Sequence, residues 1–556
     1  MFRPALIEAL RSGYRRQDLV ADVLAGCLVG VVALPLSMGL AIASGVPPAV
    51  GLVTAVVGGF LISALGGSRV QIGGPAGAFV GLCAAGVSDF GYGGLALATL
   101  MAGALIVLLG VARLGKAITF IPTPVVIGFT TGIAVIIAST QLAPLAGIVE
   151  PDKPLAHVTD RLAYLWAHRQ EFLLEPCLVC VVTMGLIFGC RRWLPRVPGA
   201  LVAVVAVVGV TLAVTAFGLD KNLATIGSRY GDIPHGLPWP GLPDIGLKDG
   251  WSINDLLHRI REVSGLALTI ALLGSIESLL SAVVADGMTG QRHHSNTELI
   301  AQGLANLVTP LFGGLPCTGA IARTSTNIKA GARTPVAGMV HALAVLLIML
   351  VLAPMVVHIP LACLAGVLLM VCWFMAELRH WPHILKAERS DAFLLPISFG
   401  LTVFIDLTTA VTVGVLLAMF FFVRRMADST RVEAVGEHTE AWVHGPLPVG
   451  VQIYEIRGPF FFGAATLLRD LDTSEGGKAL ILRLGNVPFI DVTAAFAVKE
   501  LAESCRAKGS RLILCEVKGQ AWRDLSRHGL DAAVGPGGIQ ADLAGALGNV
   551  RMTGNA

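Results

Sequence analysis

The sequence predicts a polytopic α-helical membrane protein of about 14 membrane segments, built from two inverted halves and followed by a small α/β domain. Three observations carry this. Hydrophobic residues make up 54% of the 556 and charged residues only 14%, with a mean hydropathy of +0.75; a soluble domain carries about a quarter charged residues. Apolar runs follow one another almost without pause from Ala21 to Val423. Beyond Arg425 the chain turns polar, and its apolar residues fall into short strand-like and helix-like stretches.

A span needs roughly 20 apolar residues. The clearest runs are 21–45, 51–65, 93–111, 117–139, 172–189, 198–217, 263–285, 336–357, 361–376 and 393–422. The last contains Asp406 and is long enough for two spans turned at that acid. Val70–Gly86 and Thr318–Lys329 are different: short, and rich in glycine or small polar residues. They read as half helices, the elements with which transporters build ligand sites at the bilayer midplane.

The two halves share landmarks. Gly66-Gly67 precedes the first short segment and Gly313-Gly314 the second; Ile121-Pro122 with Gly128 repeats as Ile359-Pro360 with Gly366, roughly 240 residues further on. An odd number of segments per half makes such copies inverted. Basic loops set the orientation. Arg3, Arg11, Arg15 and Arg16, then Arg113 and Lys116, Arg191, Arg192 and Arg196, Arg292, Lys329 and Arg333, Arg379, Lys386 and Arg389, and Arg424 and Arg425 mark the cytoplasmic side. Both ends of the membrane part are then cytoplasmic, and the loops at 140–171 and 218–261 face outward. The expected partition is a membrane domain at 1–425, a linker at 426–440 and an α/β domain at 441–550, with strands at Val451–Ile456, Ala479–Leu484 and Arg511–Glu516 and a helix at Asp491–Lys508.

Several functions are set aside by what the chain carries. A net charge of +3 makes no case for nucleic acid. The ten cysteines are scattered, and the one CxxC, Cys177 and Cys180, lies in an apolar run where reactive thiols are not expected. No nucleotide loop, metal-ligand cluster or hydrolytic triad stands in a fitting context; His293-His294 reads as part of a basic cytoplasmic loop. The expectation is a non-enzyme without a cofactor or metal.

Two charged residues sit where lipid should not tolerate them. Glu277 lies in an apolar helix, Leu266–Val284, with Ser275, Ser278 and Ser281 nearby. A carboxylate near the membrane middle costs a few kcal/mol at least, so it faces a cavity or a partner; desolvation suits it to carry a coupling proton or cation. Arg323 lies in the second short segment. A guanidinium beside free helix-terminal N–H groups makes an anion site, and Gly73–Phe79 supplies the opposing helix start.

The residues at 21–52, GGSRVQIGGPAGAFV (66–80), FIPTPVVIGFTTGI (120–133), LGSIESLLSAVVADGMTG (273–290), NTELIAQGLANLVTPLFGG (296–314) and AIARTSTNIKAGARTP (320–335) resemble the SulP family of anion permeases. LRLGNVPFIDVTAAFAVKEL (482–501) resembles a STAS domain. The resemblance implies the seven-plus-seven inverted-repeat fold of uracil permeases, core and gate parts moving as an elevator, and a homodimer. It places the substrate at Gly74, Pro75, Ala76 and Gly77 and at Ala322, Arg323 and Thr324; Phe79 and Ser37 are expected to complete that site, and Glu277, read from its place in an apolar helix, is the expected coupling residue. The motifs at 276–290 and 319–332 look most similar to the bacterial dicarboxylate carriers of the family. They imply proton-coupled uptake of four-carbon dicarboxylates across the bacterial inner membrane; sulfate or sodium-coupled bicarbonate transport is the alternative. A membrane-anchored anion sensor signalling through STAS is the reading from another class. In the STAS segment, Asp491-Val492-Thr493 leaves Thr493 as the one hydroxyl at the position where related domains carry a regulatory phosphate.

Overall fold

The computed structural model describes residues 2–116, 122–149, 151, 155, 157–194, 198–216, 223–231, 236–245, 252–435, 448–468, 471 and 477–553. The expected cytoplasmic Arg196, Ile121 of the repeated Ile-Pro landmark, the end of the expected linker (436–440) and the start of the expected STAS segment (441–447) lie outside the described residues. The chain divides into two compact units, Met1–Val415 and Leu416–Ala556.

The first half of the membrane unit contains α1 (Arg16–Ala43), α2 (Pro48–Leu65), the short strand β1 (Gly73–Pro75), α3 (Val80–Val111), α4 (Thr123–Thr140), α5 (Leu174–Trp193) and α6 (Gly199–Ala216). The second half contains α7 (Ile253–Thr289), α8 (Ser295–Val308), β2 (Cys317–Gly319), α9 (Ile321–Lys329), α10 (Val336–Val351), α11 (Leu361–Met375), α12 (Arg389–Phe404) and α13 (Leu407–Asp428). α3 is two segments in one. Gly91 has φ 71° and ψ 173°, which breaks the helix and leaves a half helix before it. With that break, each half supplies seven segments among the described residues. The third is a strand followed by a half helix, in both halves. Asp406 does turn the last apolar run: its carboxylate accepts from Thr409 N and Oγ1 at the start of α13.

Packing repeats with the segments. α3 packs against α7 and α8, while its counterpart α10 packs against α1 and α2. The Ile-Pro landmarks do the same job in each half. Pro122 caps α4 and Pro360 caps α11, fixing φ where no N–H is needed. The glycine that follows is the point of closest approach to a neighbour. A Cβ on Gly128 would lie 2.6 Å from Leu395 O of α12, and one on Gly366 2.9 Å from Cys180 O of α5. In lipid, helices gain nothing from burying apolar surface against each other, so small residues that admit backbones this close hold the bundle. Gly103 of α3 and Gly303 of α8 meet in the same way, as do Gly26 and Gly30 of α1 with α10.

The second unit carries a five-stranded sheet in the order β3-β4-β5-β6-β7: β3 (Arg431–Ala434), β4 (Val451–Arg457), β5 (Ala479–Asn486), β6 (Arg511–Cys515) and β7 (Ile539–Gln540). β3 pairs antiparallel with β4, and the other pairs are parallel. Residues 431–434, expected as linker, thus form an edge strand. Leu480, Leu482 and Leu484 point to one face with α14 (Val492–Ala507), and Ile481 to the other with α16 (Leu543–Thr553); α15 (Gly519–Arg527) lies between them in sequence. The alternation is the period of two that a sheet covered on both faces requires.

Candidate functional site

β1 and β2 pair antiparallel, with Gly73 opposite Gly319, Gly74 opposite Thr318 and Pro75 opposite Cys317. This two-stranded crossing brings the starts of the two half helices together. A helix start leaves its first N–H groups without intrahelical partners and carries partial positive charge. Both halves therefore turn positive backbone ends toward one place inside the membrane unit.

The side chains there are not symmetric. α9 lays its buried polar face along the extended backbone of the first half. Asn327 Nδ2 donates to Val70 O at 2.8 Å, Thr324 Oγ1 accepts from Ile72 N at 3.1 Å, and Arg323 Nη2 donates to Pro75 O at 2.8 Å. Thr324 Oγ1 also lies 3.2 Å from Ser281 Oγ of α7. Arg323 is 2% exposed, yet its Nε and Nη1 have no hydrogen-bond partner among the described residues. Gly74 explains how the guanidinium fits. Its φ is +148°, and any Cβ there would collide with Arg323 Nη1. The glycine expected to admit a ligand to the backbone admits this arginine.

Glu277 stands on α7, half-buried, with Oε2 enclosed and unpartnered. Its charge and that of Arg323 lie within electrostatic reach, but no ion pair joins them among the described residues. The serines around it serve other ends: Ser275 Oγ donates to Ala271 O and Ser278 Oγ to Ser275 O within α7, and only Ser281 reaches α9. Ala76 and Phe79 share one apolar cluster with Leu36 and Leu40 of α1 and with Ile276 beside Glu277. Gly77 is half-buried, Ala322 is exposed at the start of α9, and Ser37 is buried with an unpartnered Oγ. Thr493 belongs to the other unit, exposed beside Asp491, whose carboxylate accepts from Ala494 N and Phe462 N. Neither of two clefts in the membrane unit is lined, among the described residues, by the substrate-binding residues expected from sequence.

Glu277 is not the most enclosed acid. Asp22 and Glu298 are fully buried, and both are saturated with donors. Asp22 accepts from Tyr14 Oη, from the backbone N–H of Arg333 and Thr334, and from Thr334 Oγ1. Glu298 accepts from Gly67 N, Ser68 N and Gln302 Nε2. Asn306 then holds Cys317 by two bonds, Nδ2 to its O and its N to Oδ1. Glu298, Gln302 and Asn306 recur every four residues along α8, a polar stripe that helical spacing alone reveals. Gln71 (Nε2 to Ser278 O) and His341, with neither ring nitrogen paired among the described residues, add to the polar interior. His293 and His294 are pinned by Asp286 and Glu8 rather than loose in a solvated loop.

With this geometry in place, the comparisons with known proteins are direct. The sequence pattern of the sulfate permease family matches residues 19–398, and that of the STAS domain residues 447–546. The chain belongs to the sulfate permease (SulP) family, a family of anion transporters and not of enzymes. It is 39% identical to the putative sulfate transporter YvdB of Bacillus subtilis, over 94% of this chain and 96% of that one. It is 31% identical to the bicarbonate transporter BicA of Synechocystis, over 92% and 90% respectively. Among solved structures, SLC26A9 superposes with a TM-score of 0.84 at 17% identity, covering 99% of this chain and 93% of that one. The transmembrane domain of a cyanobacterial BicA superposes at 0.60 with 30% identity, covering 73% of this chain and 98% of that one.

Proposed function

We propose that the chain is a secondary active transporter whose anion is held between the two half-helix starts by the open N–H groups of Arg323. The observation that carries this is the enclosed guanidinium with Nε and Nη1 unpartnered at the crossing of β1 and β2. An unpaired buried charge is costly, and a small oxyanion there would satisfy it by charge-assisted hydrogen bonds. The relatives' names point first to sulfate and second to bicarbonate. The four-carbon dicarboxylate reading rests on motif resemblance alone, so succinate and fumarate belong in the same screen.

Glu277 is the proposed coupling group. Bringing an anion in against an inside-negative potential costs roughly 2.3 kcal/mol per charge per 100 mV, so cations must accompany it. An enclosed, unpartnered carboxylate in reach of Arg323 can take up a proton with the anion and release it on the other side. Both termini face the cytoplasm in this reading, and the working unit is a homodimer. The test is uptake of sulfate, bicarbonate, succinate, fumarate and aspartate into proteoliposomes under imposed pH or sodium gradients. Acid-driven accumulation of one anion supports the proposal. Uptake that follows sodium and ignores pH moves the reading to sodium-coupled bicarbonate transport, and tight binding without flux moves it to a sensor. Glu277→Gln is expected to keep anion binding and lose pH-driven accumulation; full accumulation in that variant makes Glu277 structural.

A further inference from the structure

Arg323 is not the only enclosed donor beside the crossing of β1 and β2. His341 of α10 is fully buried, and neither Nδ1 nor Nε2 has a hydrogen-bond partner among the described residues. Its place can be read along α2, where Ala55, Gly59 and Ser63 are buried about one turn apart on one face. At the first turn, the Cβ position of Gly74 lies 3.5 Å from Ala55 Cα and against Arg323 Nη1. At the next, the Cβ position of Gly59 lies 3.0 Å from Gly73 O and 3.8 Å from His341 Cδ2, the carbon bonded to Nε2. At the third, Ser63 Oγ faces Gly338, about one turn before His341 on α10, and is itself enclosed without a partner among the described residues. One turn of a helix advances about 5.4 Å. The free edge of Arg323 and the Nε2 edge of His341 thus lie roughly one turn apart, both beside the strand at Gly73 and Gly74.

Arg323 is also the charged group within electrostatic reach of the ring. Buried polar groups normally find partners, yet no acid serves this ring. The fully buried acids, Asp22 and Glu298, are taken up by other donors. Neutral or protonated, an imidazole offers at least one N–H, and a guanidinium offers only donors. Both groups therefore call for an acceptor, and leaving them without one inside the bundle is costly. We propose that His341 is a second substrate-binding residue, donating from Nε2 to an outer oxygen of the anion held on Arg323, and that it favours oxyanions over halides at this site. N–H···O bonds of about 2.9 Å to two oxygens of one anion bridge a gap of one helical turn. A chloride seated on the free edge of the guanidinium has no second atom to extend toward the ring.

The inference rests on the Arg323 site, and the experiment separates the two. Equilibrium binding of radiolabelled sulfate to the purified full-length protein is measured directly, and that of chloride by competition, for wild type, His341→Phe, His341→Gln, His341→Asn and Arg323→Ala. His341→Phe keeps a ring and loses the N–H; it should weaken sulfate roughly tenfold and chloride by less than about twofold. Glutamine carries its amide near the place of Nε2 and should restore most of the sulfate affinity. Asparagine, with its amide near the place of Nδ1, should not. Wild type gives a second reading that stands even if a variant fails to fold. In protein labelled with 15N-histidine in phosphatidylcholine liposomes, saturating sulfate should shift an imidazole nitrogen signal that chloride leaves unmoved. A sulfate-to-chloride preference in His341→Phe equal to that of wild type overturns the inference, as does bound sulfate that moves no imidazole signal. Sulfate binding lost in Arg323→Ala but intact in His341→Phe keeps the Arg323 site and removes only the histidine from it. Unchanged sulfate binding in Arg323→Ala overturns the site itself, and this inference with it.

Discussion

The two half-helix junctions have nearly the same backbone and very different side chains. At the first, Gly73–Pro75 and Gly77 offer backbone alone; at the second, α9 brings Arg323, Thr324 and Asn327, each bonded to the extended strand of the first half. The backbone of the crossing is paired symmetrically, and its buried cation comes from one side. The lesson is a division of labour: glycine and proline shape a cradle with no side chain in the way, and the opposite half supplies the cation that gives the cradle its sign.

The strongest way to break this comparison is to remove the charge. Arg323→Ala should weaken anion binding by about 1.5–3 kcal/mol, roughly a factor of ten to a hundred and fifty, in a protein that elutes and melts as a folded species. Titration calorimetry with sulfate reads it. Unchanged affinity would mean that the asymmetry serves packing only.

Next is the glycine that makes room for that charge. Gly74→Ala forces a Cβ against Arg323 Nη1 at a φ of +148° that L residues rarely adopt. Strain of about 1–3 kcal/mol is expected, with the arginine displaced. Anion affinity should fall nearly as far as in Arg323→Ala, and the double variant should be little worse than either, because both act through one guanidinium. Additive losses would separate the two residues.

A smaller effect tests the stitching. Thr324→Val removes the hydroxyl that Ile72 N donates to and that meets Ser281. It should lower the melting stability by about 1–3 kcal/mol, since a buried N–H is left unpaired, while anion selectivity stays the same. A changed substrate ranking would make Thr324 a ligand to the substrate rather than a strut.

The smallest effect lies in the other unit, where charges meet water. Burial alone would raise the Glu455 carboxyl, but the hydrogen bond and charge of Arg457, the charge of Arg483 and the Asn486 hydrogen bond outweigh it and hold it below the usual range. A carboxylate with a depressed folded-state pKa stabilises the fold above its ordinary value of about 4.3 and loses that contribution as pH falls through the lowered one. The protection of β4 amides in the full chain, taken as exchange relative to the intrinsic rate at each pH, should therefore fall at acid pH in wild type. Glu455→Gln should exchange faster at neutral pH and respond less to acid. Equal pH responses would show that the pairs around Glu455 contribute nothing.

Much of this fold could be read from the chain. Gly66-Gly67, Gly313-Gly314 and the glycines after the Ile-Pro landmarks marked equivalent positions, and Gly128 and Gly366 do meet equivalent neighbours. Arg323 and Glu277 stood out because lipid makes any buried charge expensive. Burial ranking among the acids did not follow from apolar sequence: Glu298 and Asp22 sit near helix ends in sequence, yet tertiary packing wraps them in donors from the other half. Two of the three donors to Glu298, Gly67 N and Ser68 N, are 230 or more residues away, which no local pattern encodes. The stripe of Glu298, Gln302 and Asn306 was visible as helical spacing but reads equally as an exposed face until the helix is known to lie inside the bundle. The strand at 431–434 was hidden because an exposed edge strand needs no apolar run.

An anion held on Arg323 at the crossing of the half helices is visible to crystallography. The most direct measurement is a structure of the full-length protein soaked with selenate, read by selenium anomalous scattering. A peak is expected within hydrogen-bonding distance of Arg323 Nε or Nη1, between Gly74–Gly77 and the start of α9, that disappears in Arg323→Ala. Peaks confined to other surfaces, with Arg323 closed onto Glu277, would contradict it.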